Sequence, residues 1–233
     1  MLKTLSTLII SVLISSVLAQ DVTINGQVTM LALGDSYTIG ASVSKSERWP
    51  HQFIDELRKL GVHAEYPDYI ASTGWTTSRL LQAIRTRLDT EKDYNLVSIL
   101  IGVNNQYQGL DLSIFEPDLI QIIERALELV DQDTSRIFIL SIPDYAYTSF
   151  GRGRASISSE IDNYNANKHR VAACYKIAYI DITPISRLGL GRPELVAGDG
   201  LHPSGQQYSE WVEQIIPRLE LDFTTSASAF TQS

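Results

Sequence analysis

Four short blocks of the sequence hold the side chains best suited to chemistry, and two of them carry complementary groups. Ser36 stands in Gly34-Asp35-Ser36, and His202 ends Asp199-Gly200-Leu201-His202. A serine hydroxyl becomes a strong nucleophile when a neighbouring base accepts its proton. A carboxylate three residues before a histidine is close enough to bind the other imidazole nitrogen and hold one tautomer. We therefore predict Ser36 as nucleophile, His202 as general base and Asp199 as the acid that orients the base.

The other two blocks carry candidate hydrogen-bond donors. Gly74 lies in Ser72-Thr73-Gly74-Trp75, and Asn104 lies in Gly102-Val103-Asn104-Asn105. Acyl transfer requires donors aimed at the oxyanion of its tetrahedral intermediate. The Ser36 and Gly74 N–H groups and the Asn104 side-chain amide are predicted to supply them. Three neighbours are predicted to line a substrate pocket: Tyr37, Trp75 and Asn105.

In these four blocks, which occur in the family's order, the sequence resembles the GDSL/SGNH hydrolases. The resemblance spans roughly residues 30–215, nearly the whole mature chain. It implies a serine esterase or acylhydrolase that works without a metal, with Ser36, Gly74, Asn104 and His202 as the family's four named residues. Two neighbouring positions depart from the usual pattern, since Tyr37 replaces leucine and Asn105 replaces the commoner aspartate. These departures bear on substrate preference.

The elements that must position these residues follow from the apolar pattern. Short β-rich runs alternate with amphipathic helical stretches, which is typical of a parallel sheet. The predicted strands are 30–33, 64–71, 96–101, 136–142 and 177–182, and the predicted helices are 49–60, 78–88, 117–130, 158–174 and 205–219. Because these strands are apolar nearly throughout, helices are expected on both faces. We predict an α/β fold, a flavodoxin-like three-layer α/β/α sandwich with a five-stranded parallel sheet, whose crevice lies at the carboxyl ends of the strands.

Composition indicates one catalytic-sized domain. The chain has 233 residues, of which 44% are hydrophobic and 20% are charged. Residues 1–19 resemble a cleaved secretory signal, with a positive charge followed by an apolar run and small residues. We therefore expect a domain over residues 20–223, a disordered Ser/Thr-rich tail over residues 224–233, and a secreted or periplasmic location. No integral membrane segment is expected after signal cleavage.

Several kinds of partner and site are not expected. The net charge of −8 argues against a nucleic-acid partner, which requires a basic patch. His51, His63 and His169 lack paired carboxylates at strand ends, and no motif with metal-ligand spacing occurs, so we predict no metal or cofactor. Cys174 is the single cysteine, which excludes an intramolecular disulfide. We interpret it as a small buried residue at a helix end.

Simpler roles exist for each candidate residue. Serine and aspartate often cap helices, while glycine and asparagine are common in turns. An α/β-hydrolase is disfavoured because Thr38 occupies the second glycine position of Gly-x-Ser-x-Gly. A receiver-like module with Asp35 as phosphoryl acceptor is disfavoured by the export signal and by the lack of a lysine after the fifth strand. The glycine-rich loop over residues 149–154 is either a mobile rim or, as we favour, a surface turn.

The expected substrate is a small-molecule, glycan or lipid ester. Short acyl groups and acetylated carbohydrates are favoured by family analogy. A lysophospholipase or lipase-type acylhydrolase remains an alternative. A catalytically inactive module that binds carbohydrate or lipid on the same fold is also left open, and the sequence does not determine the oligomeric state.

Overall fold

The computed structural model describes residues 21–88 and 92–222, which form seven strands and eight α-helices. The strands are β1 Val22–Asn25, β2 Met30–Gly34, β3 Asp68–Ala71, β4 Leu96–Leu100, β5 Ile137–Leu140, β6 Ala178–Ile180 and β7 Leu219–Asp222. The helices are α1 Ser36–Ile39, α2 Trp49–Lys59, α3 Thr77–Arg87, α4 Val103–Tyr107, α5 Leu112–Leu129, α6 Ala155–Tyr175, α7 Thr183–Ser186 and α8 Gly205–Ile215. The predicted signal segment 1–19 and tail 224–233 lie outside the described residues.

The central sheet has five parallel strands in the order β3-β2-β4-β5-β6. All residues of β2, β4 and β5 are buried, as expected for strands covered on both faces. Helices α2 and α8 pack together, while α5 packs between α3 and α6. The predicted α/β sandwich of flavodoxin-like order is confirmed. The order reverses between β2 and β4, and such a switch point is where open α/β sheets bind ligands.

Of the element boundaries that differ from the predictions, three lie at a proline, while others, such as the start of α6 at Ala155 instead of 158 and the end of β6 at Ile180 instead of 182, do not. Strand β3 begins at Asp68 because Pro67 has no N–H for the ladder, although Ala64 forms an isolated bridge with Val28. Helix α5 begins five residues earlier than predicted and contains Pro117 in its interior. Its cap is Asp111, which accepts a bond from the Ser113 N–H at 2.8 Å. Helix α8 ends at Ile215, just before a short 3₁₀ turn that contains Pro217.

The sequence pattern missed a second, two-stranded sheet. Strands β1 and β7 pair in parallel, with Val22 opposite Leu219 and Asn25 opposite Asp222. The alternation in β1 is visible in its burial, since Val22 and Ile24 are buried and the intervening residue is not. The pairing itself joins segments nearly 200 residues apart, for example through the ion pair between Arg218 and Asp21 at 2.8 Å. Local pattern cannot reveal such a contact.

Helix α2 carries Pro50 in its first turn, where proline is tolerated, and is followed by Gly61 with a φ of +87°. Cys174 is exposed, so the prediction of a buried cysteine was wrong. The apolar residues of α6 that face the core in this region are Val171 and Ala172, and the cysteine lies on the other face.

Among the described residues, no helix is long and apolar enough to cross a membrane.

Gly34 ends β2 at a point where the Thr38 side chain and the Leu100 backbone leave no room for a Cβ. A Cβ at this position would lie 2.0 Å from Thr38 Oγ1 and 2.3 Å from the Leu100 carbonyl oxygen. Real Cβ atoms do not approach other atoms this closely, and the Leu100 contact is with backbone. Glycine is therefore required here for β2 to lie against β4 while the chain turns into α1.

We predict that Gly34→Ala lowers the free energy of unfolding by about 2 kcal/mol or more, since overpacking at a rigid site costs on the order of 1–3 kcal/mol. Urea unfolding followed by circular dichroism measures the change. Gly198→Ala is the matched control, because a Cβ there meets no atom within 4 Å. Equal stabilities of the two variants would contradict the packing argument.

Candidate active site

Ser36 is the first residue of α1 and is separated from the end of β2 by Asp35 alone. The helix is capped by Asp35, whose Oδ1 accepts a hydrogen bond from the Tyr37 N–H at 3.0 Å. Asp35 thus takes the capping role, and the Ser36 side chain is left for other contacts. The first N–H groups of a helix have no acceptor within it. The Ser36 N–H is therefore available to a ligand beside its own hydroxyl.

His202 and Asp199 form a hydrogen-bonded pair in the loop before α8. The distance from His202 Nδ1 to Asp199 Oδ2 is 2.5 Å. The N–H groups of Leu201 and His202 donate to Asp199 Oδ1 at 2.9 and 3.0 Å. With Nδ1 directed at the carboxylate, Nε2 is the nitrogen left to face the cavity that His202 lines. This is the arrangement in which an imidazole accepts a proton at Nε2.

The hydrogen bonds around Asp199 keep its carboxylate ionised. Partial burial tends to raise its pKa, but donors from the Ser42 hydroxyl, the His202 ring and the backbone N–H groups of His202 and Leu201 outweigh burial. The pKa of Asp199 therefore lies well below its ordinary value. A negative charge beside Nδ1 favours the imidazolium that forms when the ring accepts a proton.

Gly74 and Asn104 follow β3 and β4 on either side of the Ser36 strand. Gly74 has a φ of +79°, a left-handed conformation that favours glycine. Asn104 Nδ2 donates to the Trp75 carbonyl at 3.0 Å, which fixes the amide with one N–H engaged and the second N–H free for another acceptor. Both residues line the same cavity as Ser36 and His202. The structure therefore brings together all five residues proposed for catalysis and the oxyanion.

This cavity has a volume of about 240 Å³. Its walls are mainly apolar and aromatic outside the reactive groups. It is lined by Ser36, Tyr37, Thr73, Gly74, Val103, Asn104, Tyr107, Tyr145, Phe150, Leu201 and His202. Tyr37 lies in this lining as predicted, with its ring centroid 5.5 Å from that of His202.

The other two predicted pocket residues do not line the cavity. Trp75 lies over the side of α3, where the Arg87 guanidinium is 5.2 Å from its ring centroid, and it borders a separate surface groove. Asn105 is fully buried and holds Thr77 through bonds of 3.0 Å to the N–H and 2.8 Å to the hydroxyl. Asn105 therefore joins α4 to the start of α3. Trp75 and Asn105 are the sequence neighbours of Gly74 and Asn104, but adjacent side chains point in different directions. Sequence proximity therefore did not predict which residues line the cavity.

Sequence reasoning missed an aromatic cluster on the cavity rim formed by Tyr107, Tyr145 and Phe150. Their ring centroids lie 6.1 to 6.2 Å apart, and Tyr107 and Phe150 are exposed. Tyr145 and Phe150 come from the segment after β5. The rule that ligands bind beyond strand ends applies to this strand too, so the position was a usable signal.

The loop over residues 149–154 is a turn, as favoured, but it also builds the site. The Phe150 N–H donates to the Gly200 carbonyl at 3.0 Å, and the Ser149 hydroxyl donates to the same oxygen at 3.1 Å. Gly200 lies between Asp199 and His202 in sequence. The loop therefore supports the histidine segment and presents Phe150 to the cavity.

Ser36 and His202 face one cavity without a direct bond. Among the described residues, no hydrogen bond within 3.5 Å joins the Ser36 hydroxyl to the imidazole. Catalytic contacts of this kind are commonly loose without ligand and shorten when substrate binds. Both side chains are largely covered, with Ser36 5% exposed and the His202 side chain 12% exposed.

Asp35, directly before Ser36, and Lys168 are two buried groups that can carry opposite charges. Lys168 of α6 is fully buried, and its Nζ donates to the Ile101 carbonyl at 2.9 Å, just before the Gly102-Val103-Asn104 segment. Burial lowers the pKa of Lys168 to about 7, against the opposing charge of Asp35. Burial likewise raises the pKa of Asp35 to about 7, against the Tyr37 N–H and the Lys168 charge. Each group therefore helps to keep the other ionised.

A serine hydroxyl and an imidazole paired with a carboxylate thus lie at one cavity with Gly74 and Asn104, and comparison with known proteins gives the family. The model of the GDSL-like Lipase/Acylhydrolase family matches residues 32–209. The chain therefore belongs to this family of esterase- and lipase-type hydrolases.

Solved structures of the same fold are similar over most of the chain. A lipase from a goat rumen metagenome has a TM-score of 0.68 and 19% identity, covering 82% of this chain and 97% of its own. A lipase/acylhydrolase from Enterococcus faecalis has a TM-score of 0.65 and 20% identity, covering 82% and 94%. AlinE4, an SGNH-hydrolase family esterase, has a TM-score of 0.57 and 23% identity, covering 88% and 98%. A search of curated proteins gave no match.

We predict that the stabilising effect of the Asp199 charge disappears in acid. The pKa of this carboxyl is lower in the folded state than the value of about 3.9 in the unfolded chain. Its contribution is therefore complete above about pH 4–5 and is lost as pH falls through the folded pKa. The difference in melting temperature between the unaltered chain and Asp199→Asn should be constant from pH 5 to 8 and shrink below pH 4, whereas a pH-independent difference would contradict this.

We also predict that removing the Lys168 charge alone lowers the free energy of unfolding more than removing the charges of Lys168 and Asp35 together. Lys168→Met leaves Asp35 buried without its cation and should lower the free energy of unfolding by about 3 kcal/mol or more. Asp35→Asn with Lys168→Met should recover part of that loss in urea unfolding. Arg170→Met, on the same helix, removes an exposed cation and is the control. Additive losses in the double variant would show that the charges do not interact.

Proposed function

We propose that this chain is an exported serine esterase with Ser36 as nucleophile, His202 as general base and Asp199 as the orienting acid. The observation that carries the proposal is the convergence of Ser36, His202, Gly74 and Asn104 on one cavity, with His202 bound to Asp199 at 2.5 Å. These residues come from four separate segments of the chain: Ser36 from α1, Asn104 from α4, and Gly74 and His202 from loops. A purely structural role for each of them does not account for their meeting at the switch point of the sheet.

In the first half of the reaction, Ser36 Oγ bonds to the ester carbonyl carbon and its proton passes to His202 Nε2. The carbonyl oxygen becomes an oxyanion, held by the N–H groups of Ser36 and Gly74 and by Asn104 Nδ2. The ester bond then breaks, and His202 returns the proton to the leaving alcohol oxygen. In the second half, water attacks the acyl-serine by the same proton route, which releases the acid and restores Ser36.

The proposed substrates carry a short acyl group, with acetylated carbohydrates among them. The cavity of about 240 Å³ is smaller than the 300–1,000 Å³ typical of pockets for drug-sized ligands. Its apolar walls suit a small alkyl group, and the exposed rings of Tyr107 and Phe150 lie where the alcohol part of a substrate would leave the cavity. A longer acyl chain could instead extend across these rings, which keeps a lipase-type substrate as the second candidate.

Export belongs to the same proposal. Residues 1–19 have the charge, apolar run and small residues of a secretory signal, and an extracellular or periplasmic location would follow from their removal. N-terminal sequencing of the protein recovered outside the cytoplasm tests this. A mature chain that begins near residue 20 supports export, while recovery only of cytoplasmic protein that begins at Met1 argues against it.

We predict that p-nitrophenyl acetate and butyrate are hydrolysed faster than long-chain esters and that Ser36→Ala abolishes turnover on all of them. Initial rates measured across acetate to palmitate check this, with the melting temperature of each variant as the folding control. A long-chain optimum would favour the lipase-type candidate. A folded, active Ser36→Ala variant would overturn the nucleophile assignment, and inactivity of the unaltered chain on every ester would favour a binding module.

A further inference from the structure

Ser42 adopts a backbone conformation that serine rarely takes. Its φ of +69° lies in the left-handed region, which favours glycine because of the missing Cβ. Non-glycine residues are held there when surrounding contacts determine the conformation, and such positions are common at functional sites. A contact with the rest of the fold is therefore expected to hold Ser42 in this conformation.

That contact is with the proposed triad. Ser42 Oγ donates to Asp199 Oδ2 at 2.6 Å. The same carboxylate oxygen lies 2.5 Å from His202 Nδ1. The other oxygen, Oδ1, is held by two N–H groups of its own loop, from Leu201 and His202. Ser42 is thus a support for the carboxylate that comes from a different part of the chain, 157 residues away in sequence.

The support is needed because Asp199 is partly open to solvent. Its side chain is 33% exposed, so water competes for the oxygen that faces His202. A buried triad carboxylate is held by its surroundings, but an accessible one needs a specific donor to keep one orientation. The Ser42 hydroxyl occupies one acceptor site of Oδ2 and leaves the other for the imidazole.

Ser42 also connects the loop that carries Asp199 and His202 to the segment that carries Ser36. The N–H groups of Gly40 and Ala41 both donate to the Ser36 carbonyl, which closes α1 immediately before Ser42. The path from Ser36 to Asp199 therefore runs through a short, hydrogen-bonded turn and one side-chain bond. This path restricts the position of the imidazole relative to the serine hydroxyl.

We propose that Ser42 is a positioning residue for acyl transfer, whose hydroxyl holds Asp199 so that His202 is directed toward Ser36. The proposal rests on the proposed esterase function. Ser42 touches neither the acyl group nor the reacting atoms, and it acts through Asp199. It lies outside the four blocks that carry the family resemblance.

The test compares two Ser42 variants that both lack the hydroxyl but differ in backbone strain. Ser42→Ala removes the hydroxyl and keeps the strained backbone with a Cβ, while Ser42→Gly removes the hydroxyl and relieves the strain. Both should lower kcat by about tenfold, the equivalent of one hydrogen bond to a charged group, with little change in KM. Ser42→Gly should melt at a higher temperature than Ser42→Ala. Ser44→Ala is the control, since the Ser44 hydroxyl bonds to Glu47 within its own turn.

A double-mutant cycle separates positioning from a general effect on folding. In an Asp199→Ala background, Ser42→Ala should cause no further loss of kcat, because the group through which it acts is absent. Proton NMR of the His202 Nδ1–H gives a readout that does not depend on turnover. Its downfield resonance should shift or broaden in both Ser42 variants and remain in Ser44→Ala.

Full activity in both Ser42 variants, losses that follow their melting temperatures, or an additive loss in the Asp199→Ala background would each overturn the proposal. These outcomes can be distinguished from a failure of the proposed esterase function. In that case the unaltered chain itself would not hydrolyse esters, and only the NMR comparison would report whether Ser42 orients the pair.

Discussion

The position of β2 between β3 and β4 is the constraint on which the rest of the structure depends. Because β3 and β4 flank it and all three run parallel, their carboxyl ends meet at one edge, and Ser36, Gly74 and Asn104 follow them there. The close approach of β2 to β4 depends on the absence of a side chain at Gly34. A bulkier residue would separate the strands at the point where the donors must converge.

The polar groups behind this edge fall into two electrostatic environments. Asp35 and Lys168 lie in the core, where burial raises the pKa of Asp35 and lowers the pKa of Lys168. The attraction between their charges opposes both shifts. Asp199 lies near solvent, where several donors lower its pKa. The two carboxylates therefore have different roles. Asp35 caps the helix that begins with the proposed nucleophile, and Asp199 holds the proposed base.

The sheet determines where the cavity lies, and the segments that follow its strands form the rim of the cavity. The aromatic cluster of Tyr107, Tyr145 and Phe150 comes from segments after β4 and β5, and the Phe150 loop is bonded to Gly200 of the histidine segment. Solved structures of only 19–23% sequence identity share the fold of this chain. Substrate preference is therefore better sought in these rim residues than in the shared core.

The sequence by itself determined the α/β class, the five central strands and the residues at their ends, because apolar periodicity and strand-end position are local properties. The tertiary structure decided the features that depend on distant contacts. It placed Trp75 and Asn105 away from the cavity, exposed Cys174, paired β1 with β7 and brought Ser42 to Asp199. A side chain's direction and its partner across the fold depend on packing between segments far apart in the chain, which no local pattern records.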